Sequence, residues 1–440
     1  MKSKPKTFRR NLLALSALAS FYFMGACGGS GVVTNPGEEL PSAPVFGEVV
    51  PQAFNIGSSP VDIDIVDKPG LENIAFITTS STAGVVLALD LNSNPIGLSS
   101  TVVGLPSLPV NSDLGYVNNL EVIDASHALL LTSNFPTGGK IVFFNPTTGT
   151  VYTLLDLAGS VSLTSPLQKR NTDGSSSVVS GSFNPSFPAS IAVVGSRVAV
   201  SFSNLFYELE GVSAVQGIVR FFDIQNNNLI PTFYTATSGF NTTGITVLKN
   251  DKLLVTDSGI LEFTDNNQIP ITDAFVNIIN PLSGALEKNL NIGHSAPAYR
   301  QWAVTFDGSR GFIGSASGGF VIEIGLDENL SLIHGLNNPL VVTSSSLDTD
   351  YVDDVVLSRE GTGLYVASFN TNSVYTFDLT QTPPVLSGNP INLSMNTDPQ
   401  VRSGAGPMAL RPGTPGVNFN GFDFYILTAT PGTIAAVKTY

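Results

Sequence analysis

The feature that most limits what this chain can fold into is a repeat. Seven stretches share one order: an apolar strand, a tight turn, a second strand, another polar turn and a third strand. They occupy 59–91, 118–149, 189–224, 243–284, 301–326, 353–379 and 406–440. Taking Asp62, Leu120, Ser190, Gly244, Trp302, Asp354 and Met408 as equivalent first-strand positions gives successive spacings of 58, 70, 54, 58, 52 and 54 residues. A period of about 50–60 residues belongs to radially repeated sheets rather than to solenoids of shorter units. Looser fourth segments such as "LIPTFYTA" (229–236) would make each unit a four-stranded blade. The last unit stops after its third strand, whereas "FGEVVPQAFNI" (46–56) precedes the first unit as a spare strand. Pairing the two would close the ring and remove two exposed edges. The expectation is an all-β, seven-bladed β-propeller over 44–440, with four-stranded blades and an N-terminal strand completing the last one.

Composition agrees. Charged residues make up 12% of the chain, against about 25% in typical soluble domains. Glycine and proline together number 42 + 28 = 70, and 42% of residues are hydrophobic. Many short strands buried on both faces would produce this balance, because stacked sheets leave neither face to water. After residue 27 no stretch sustains a capped apolar stripe with a 3.6-residue period, so almost no helix is expected.

The N-terminus reads differently from the rest. MKSKPKTFRR carries five basic residues and no acid, and an apolar run of 13 residues follows from Leu12 to Met24. That run is too short for a membrane-spanning helix of about 20 residues but suits a secretory signal. Met24-Gly25-Ala26-Cys27 places small residues before the single cysteine of the chain, and resembles the lipobox of bacterial lipoproteins. The resemblance implies a signal peptide over 1–26, acyl chains such as palmitate on Cys27, and a location on the bacterial cell envelope. It points to the outer membrane, since no Asp follows the cysteine. Residues 27–43, rich in Gly, Pro and small polar side chains, would be a flexible tether. Removing 1–26 leaves a net charge of −14 − 5 = −19. Such a surface repels phosphates, which excludes nucleic acid as a partner class and leaves the lipid anchor as the contact with membranes.

Among the units, "LSREGTGLYVASFNTNSVYTFDL" (357–379) is similar to the YVTN-type propeller repeat through Leu364 to Ala367 and Asn370 to Asn372. "TFDGSRGFIGSASGGFVIEI" (305–324) is a looser relative. Propellers of this type include sugar-lactone hydrolases and surface proteins, so the resemblance implies architecture rather than one activity.

Two places could carry function. "DTDYVDD" (348–354) concentrates four carboxylates in seven residues. Asp350, Asp353 and Asp354 supply the hard oxygen ligands that Ca²⁺ prefers. With Asn119 they would suit a metal-dependent lactonase-like hydrolase at the channel mouth; the alternative is a solvated acidic loop. The three histidines, His127, His294 and His334, lie in no nucleophile motif, and no sequence pattern for another cofactor is present. The second place is a pair of long connections, 203–217 and 257–274, between the second and third strands of units three and four. They carry Phe206, Tyr207, Leu209, Ile260, Leu261, Phe263 and Ile269, an apolar surface rimmed by acid that would suit a protein partner. Otherwise these arms pack on each other as a cap. The polar insertion 158–186 is expected to be a mobile surface loop. The favoured reading is a lipid-anchored, protein-binding or scaffold propeller, more a binding module than an enzyme; oligomeric state is left open.

Overall fold

A computed structural model describes residues 46–57, 60–79, 86–93, 95–105, 116–134, 138–208, 211–263, 268–342, 351–393, 404–412, 422–429 and 432–439. The expected signal peptide, Cys27 and the tether lie outside the described residues, as do Leu209, Asp350 and the side chain of Phe263. Every regular element among the described residues is a β-strand.

The strands form radial antiparallel sheets that follow one another along the chain. The 60–98 blade contains Pro60–Ile65, Ile74–Thr79, Val86–Asp90 and Gly97–Leu98, paired in that order. The 116–156 blade contains Tyr116–Asp124, His127–Ser133, Gly139–Phe144 and Val151–Asp156. The 242–293 blade contains Thr242–Val247, Leu253–Asp257, Ala274–Ile279 and Leu286–Gly293. In the 303–341 and 352–392 blades, two short segments share the outer edge of the third strand. The closing blade runs Ala405–Leu410, Phe424–Thr428, Thr433–Thr439 and then Phe46–Asn55. These six blades are regular, with four or five strands each.

The unit between 156 and 242 departs from the expected series of equal four-stranded blades. Its strands Pro188–Val194, Arg197–Phe202, Gly211–Gln225 and Asn228–Phe240 belong to a seven-stranded sheet. The reason is the 15-residue strand Gly211–Gln225. Its second half lies within the blade, and its first half runs on to pair with Leu205–Glu208 on one side and Leu167–Arg170 on the other. Ser176–Val179 adds a further strand beyond Leu167–Arg170. The 158–186 insertion is therefore strand-forming, not the featureless loop expected from its polar composition.

Packing explains why the sequence shows so little two-residue alternation. Successive residues of one strand enter different cores, on opposite faces of the sheet. Leu130 packs between the 60–98 and 116–156 blades, whereas Leu129 faces the wide sheet. Phe76 and Ile77 divide the same way, Ile77 meeting Tyr425 and Ile434 of the closing blade. Both faces must then be apolar, and Ile74–Thr79 and Gly363–Ser368 are buried throughout.

Residues from the two chain regions meet in the closing blade. Phe46 pairs with Thr439, and its ring lies 5.2 Å from that of Tyr365. Lys438 Nζ reaches Glu48 at 2.7 Å. The turn after Gly363–Ser368 is compact: the Asn372 N–H donates to the Phe369 carbonyl at 3.2 Å, and Asn372 has φ of 49°, a left-handed value that Asn tolerates better than most residues.

Candidate functional site: channel wall and paired arms

The first strand of each unit is the one that contacts its counterparts in neighbouring sheets, so these strands form the inner wall. An edge strand buried beside another sheet needs partners for its backbone groups. Polar side chains on the inner strands supply them. The Leu120 N–H donates to Asp62 Oδ2 at 3.2 Å, and the Val122 N–H to Asp64 Oδ2 at 3.3 Å. Next round the ring, the Ile191 N–H donates to Asn119 Oδ1 at 2.8 Å. The Ile245 N–H reaches Ser190 Oγ at 3.4 Å, and the Trp302 N–H reaches Thr246 Oγ1 at 2.7 Å. Finally the Met408 N–H donates to Asp354 Oδ2 at 2.8 Å. Each bond latches one blade to the next.

Arg300 joins sheets that these latches do not. Its Nη1 donates to the Val61 carbonyl at 3.2 Å, and its Nη2 pairs with Asp353 Oδ2 at 2.7 Å. The side chain is 2% exposed. A buried guanidinium needs a counter-charge, and Asp353, Asp354 and Asp62 surround it. Burial pushes the Asp62 carboxyl well up despite the opposing attraction of Arg300. Asp354 is pushed up to about 7 by burial, again against Arg300. Burial also raises Asp64 to about 7 and, with the nearby charge of Asp64, raises Glu121 to about 8.

These contacts reassign the residues expected to hold a metal. Asp353 is committed to Arg300, Asp354 accepts from Met408 and Val355, and Asn119 links Asp62 to Ile191. Among the described residues no three His, Cys, Asp or Glu side chains are grouped as metal ligands. The solvated acidic loop does not describe Asp354 either, because it is buried. The sequence reading missed Asp62, Asp64 and Arg300 as a set. The available signal was a polar residue recurring in the otherwise apolar first strands.

Beyond the wall, the paired arms partly cap their blades. Ile260 and Leu261, candidates for a partner-binding surface if the arms lay open, are buried, which fits the alternative of a cap; Ile260 packs with Phe187, Leu205 and Ala214, and Leu261 with Ala296 and Ala316. Tyr207 is half-buried, its ring edge-on to Phe187 at 6.2 Å. Phe206 is half-buried against the core beneath the wide sheet. Ile269 alone of the apolar arm residues whose side chains are described stays exposed, at 45%, and Val178 on the outermost strand of the wide sheet is 58% exposed. Ile260, Leu205 and Tyr207 sank because the two arms share one small core, which their separation in sequence conceals.

A buried carboxylate, Asp257, fastens the base of these arms. It accepts from Thr237 Oγ1 at 2.7 Å, Thr242 Oγ1 at 2.5 Å, Gly239 N at 2.8 Å and Asn277 Nδ2 at 2.8 Å. Burial raises its proton affinity, and those four donors oppose the rise.

No protein-family model and no curated protein sequence matches this chain. Solved structures do. A chain of the mitotic checkpoint complex is similar over 93% of this chain and 99% of its own, with TM-score 0.53 and 11% identity. The β-propeller domain of Myceliophteria thermophila Cps50 (Swd1) covers 82% of this chain and 92% of its own, with TM-score 0.49 and 11% identity. A functionally unknown protein from Desulfotomaculum acetoxidans gives 76%, 86%, 0.49 and 13% for the same quantities. The fold is a β-propeller. At these identities the likeness extends to architecture alone.

Proposed function

We propose that this protein is a seven-bladed, lipid-anchored scaffold of the bacterial envelope that binds a protein partner at the rim of its paired arms. The wide sheet counts as the seventh blade in this reading, since 188–240 supplies the same inner-to-outer succession as its neighbours. The YVTN-type resemblance of 357–379 and the lipobox-like residues ending at Cys27 support the repeat type and the anchor. The observation that carries the binding role is the extension of Gly211–Gln225 beyond its blade. It leads to an outer strand, Ser176–Val179, that pairs on one side with Leu167–Arg170 and exposes Val178. Open strand edges and exposed apolar residues are what extended partners use.

A hydrolase would need Asp353, Asp354 and Asn119 to face a ligand, and their contacts with Arg300, Met408 and Ile191 favour binding instead. The test is chemical cross-linking in intact cells of the wild type and of the Val178→Asp, Ile269→Asp double variant. Loss of a defined cross-linked species, with an unchanged thermal midpoint, is the expected result. Retention of that species overturns the proposed surface. Changing Cys27→Ser separately should release the chain from membranes; unchanged partitioning overturns the anchor.

A further inference from the structure

The latches that hold the ring are not chemically uniform. From the 116–156 blade through the wide sheet and the 242–293 blade to residue 302, they are neutral: Asn119, Ser190 and Thr246. Beside the closing blade they are buried carboxylates. Asp354 bonds the inner strand of the 352–392 blade to Met408, while Asp62 and Asp64 bond the 60–98 blade to the 116–156 blade. Arg300 ties these two places together through Val61 and Asp353. We infer that the closing arc of this propeller is a proton-sensitive clamp, fastened by carboxylates gathered round Arg300, while the latches between blades of the opposite arc carry no titrating group.

The charges at the clamp are few enough to name. Asp62 faces Arg300, with Asp64 on its own strand and Asn119 and the Leu120 N–H on the next. Asp64 faces Lys68, the Val122 N–H and Glu121. Glu121 faces Asp64, Asp62 and Lys68, and Asp354 faces Arg300 and Asp353. Five carboxylates thus share two cations, of which Lys68 is exposed in the connection that follows Pro60–Ile65. While most of these carboxyls keep their protons, one negative charge at Asp353 balances Arg300. As they ionise, negative charge accumulates across both seams, in surroundings that solvate it poorly. The N–H bonds to the carboxylates persist, but opening the seams relieves the repulsion and hydrates the charges.

Titration near 7, as for Asp64 and Asp354, makes the folded arc bind protons that the open arc releases. Between pH 5.5 and 8.5 each such group shifts an opening equilibrium by up to about thirtyfold toward the open state. Hydrogen exchange by mass spectrometry on the full chain, corrected for the pH dependence of intrinsic exchange, reads this directly. Protection of 60–65, 116–124, 352–357 and 405–410 should fall at least tenfold more than protection of 197–202. Glu121→Gln should reduce the pH response at 60–65 and 116–124, and Asp64→Asn, if it folds, should reduce it further. Equal loss of protection in both arcs overturns the inference, as does a pH response unchanged in Glu121→Gln.

Discussion

Arg300 donates a hydrogen bond to the carbonyl of Val61, a residue 239 positions earlier in the chain, while its other terminal nitrogen holds Asp353. One side chain thereby fixes three inner-wall segments that share no local sequence relationship.

Removing that side chain should be costly. Arg300→Met takes away the counter-charge of a partly buried Asp353 and leaves it in poor solvent. Breaking a buried pair this way costs about 3–5 kcal/mol, so the thermal midpoint should drop clearly. Adding Asp353→Asn should recover part of the loss, because the stranded charge is then gone. Circular dichroism melts of the single and double variants provide the measurement; equal melts would show that the charge itself is not the cause.

Stability should decline as pH rises. The folded state raises the proton affinity of Asp64 and Asp354 to about 7 and of Glu121 to about 8, whereas unfolded carboxylates titrate near 4. Between those limits the native chain binds more protons than the unfolded one, so its advantage is full below about pH 4 and shrinks as pH passes 7 to 8. For Asp64 alone the loss from pH 5.5 to 8.5 is up to about 2 kcal/mol. Urea denaturation at both pH values should show a lower midpoint at the higher one, with a smaller difference in Asp64→Asn.

Asp257→Ala should loosen the arms before the ring. The substitution removes the acceptor shared by the Thr237 and Thr242 hydroxyls, the Gly239 N–H and the Asn277 amide; the hydroxyls keep each other and Asn277 keeps the Val255 carbonyl, so the expected cost is about 1–3 kcal/mol in all. Limited proteolysis should accelerate within 237–274. If cleavage instead rises equally throughout the chain, Asp257 supports the whole ring and not this corner.

Gly244→Ala tests how closely two inner strands approach. A Cβ there would lie 2.1 Å from the Arg300 carbonyl oxygen, so one strand must move. The expected cost is about 1–3 kcal/mol or more, together with weakening of the nearby Trp302 N–H to Thr246 bond. Faster exchange of the Trp302 amide in NMR would register that movement, and an unchanged amide would locate the strain elsewhere.

Much of the architecture can be read from the residues themselves. The pairing of Gly363–Ser368 with Ser373–Asp378 follows from two apolar runs around a short Asn-containing turn. Recurrence of that arrangement announces a ring of sheets. The spare strand at Phe46–Asn55 finds its partner, Thr433–Thr439, because an incomplete last unit leaves one edge open. These are local or periodic properties, and periodicity survives projection onto one dimension.

Other features exist only after the chain has closed. Nothing near Arg300 or Asp354 in sequence indicates that one faces Val61 and the other Met408, since each contact depends on where the ring brings distant strands. The acid-rich stretch offered either a metal site or a solvated loop, and burial beside Arg300 made Asp353 its ion-pair partner and Asp354 a latch to Met408. The polar 158–186 insertion hid strands because their stability comes from pairing with Gly211–Gln225 rather than from their own composition. Likewise Ile260 looked available for a partner until a second arm covered it. The sequence by itself determined strand, repeat and ring, because those follow from local pattern and period. Tertiary structure decided which polar residues are fasteners and which apolar ones stay exposed, because burial and charge pairing are set by neighbours far away in the chain.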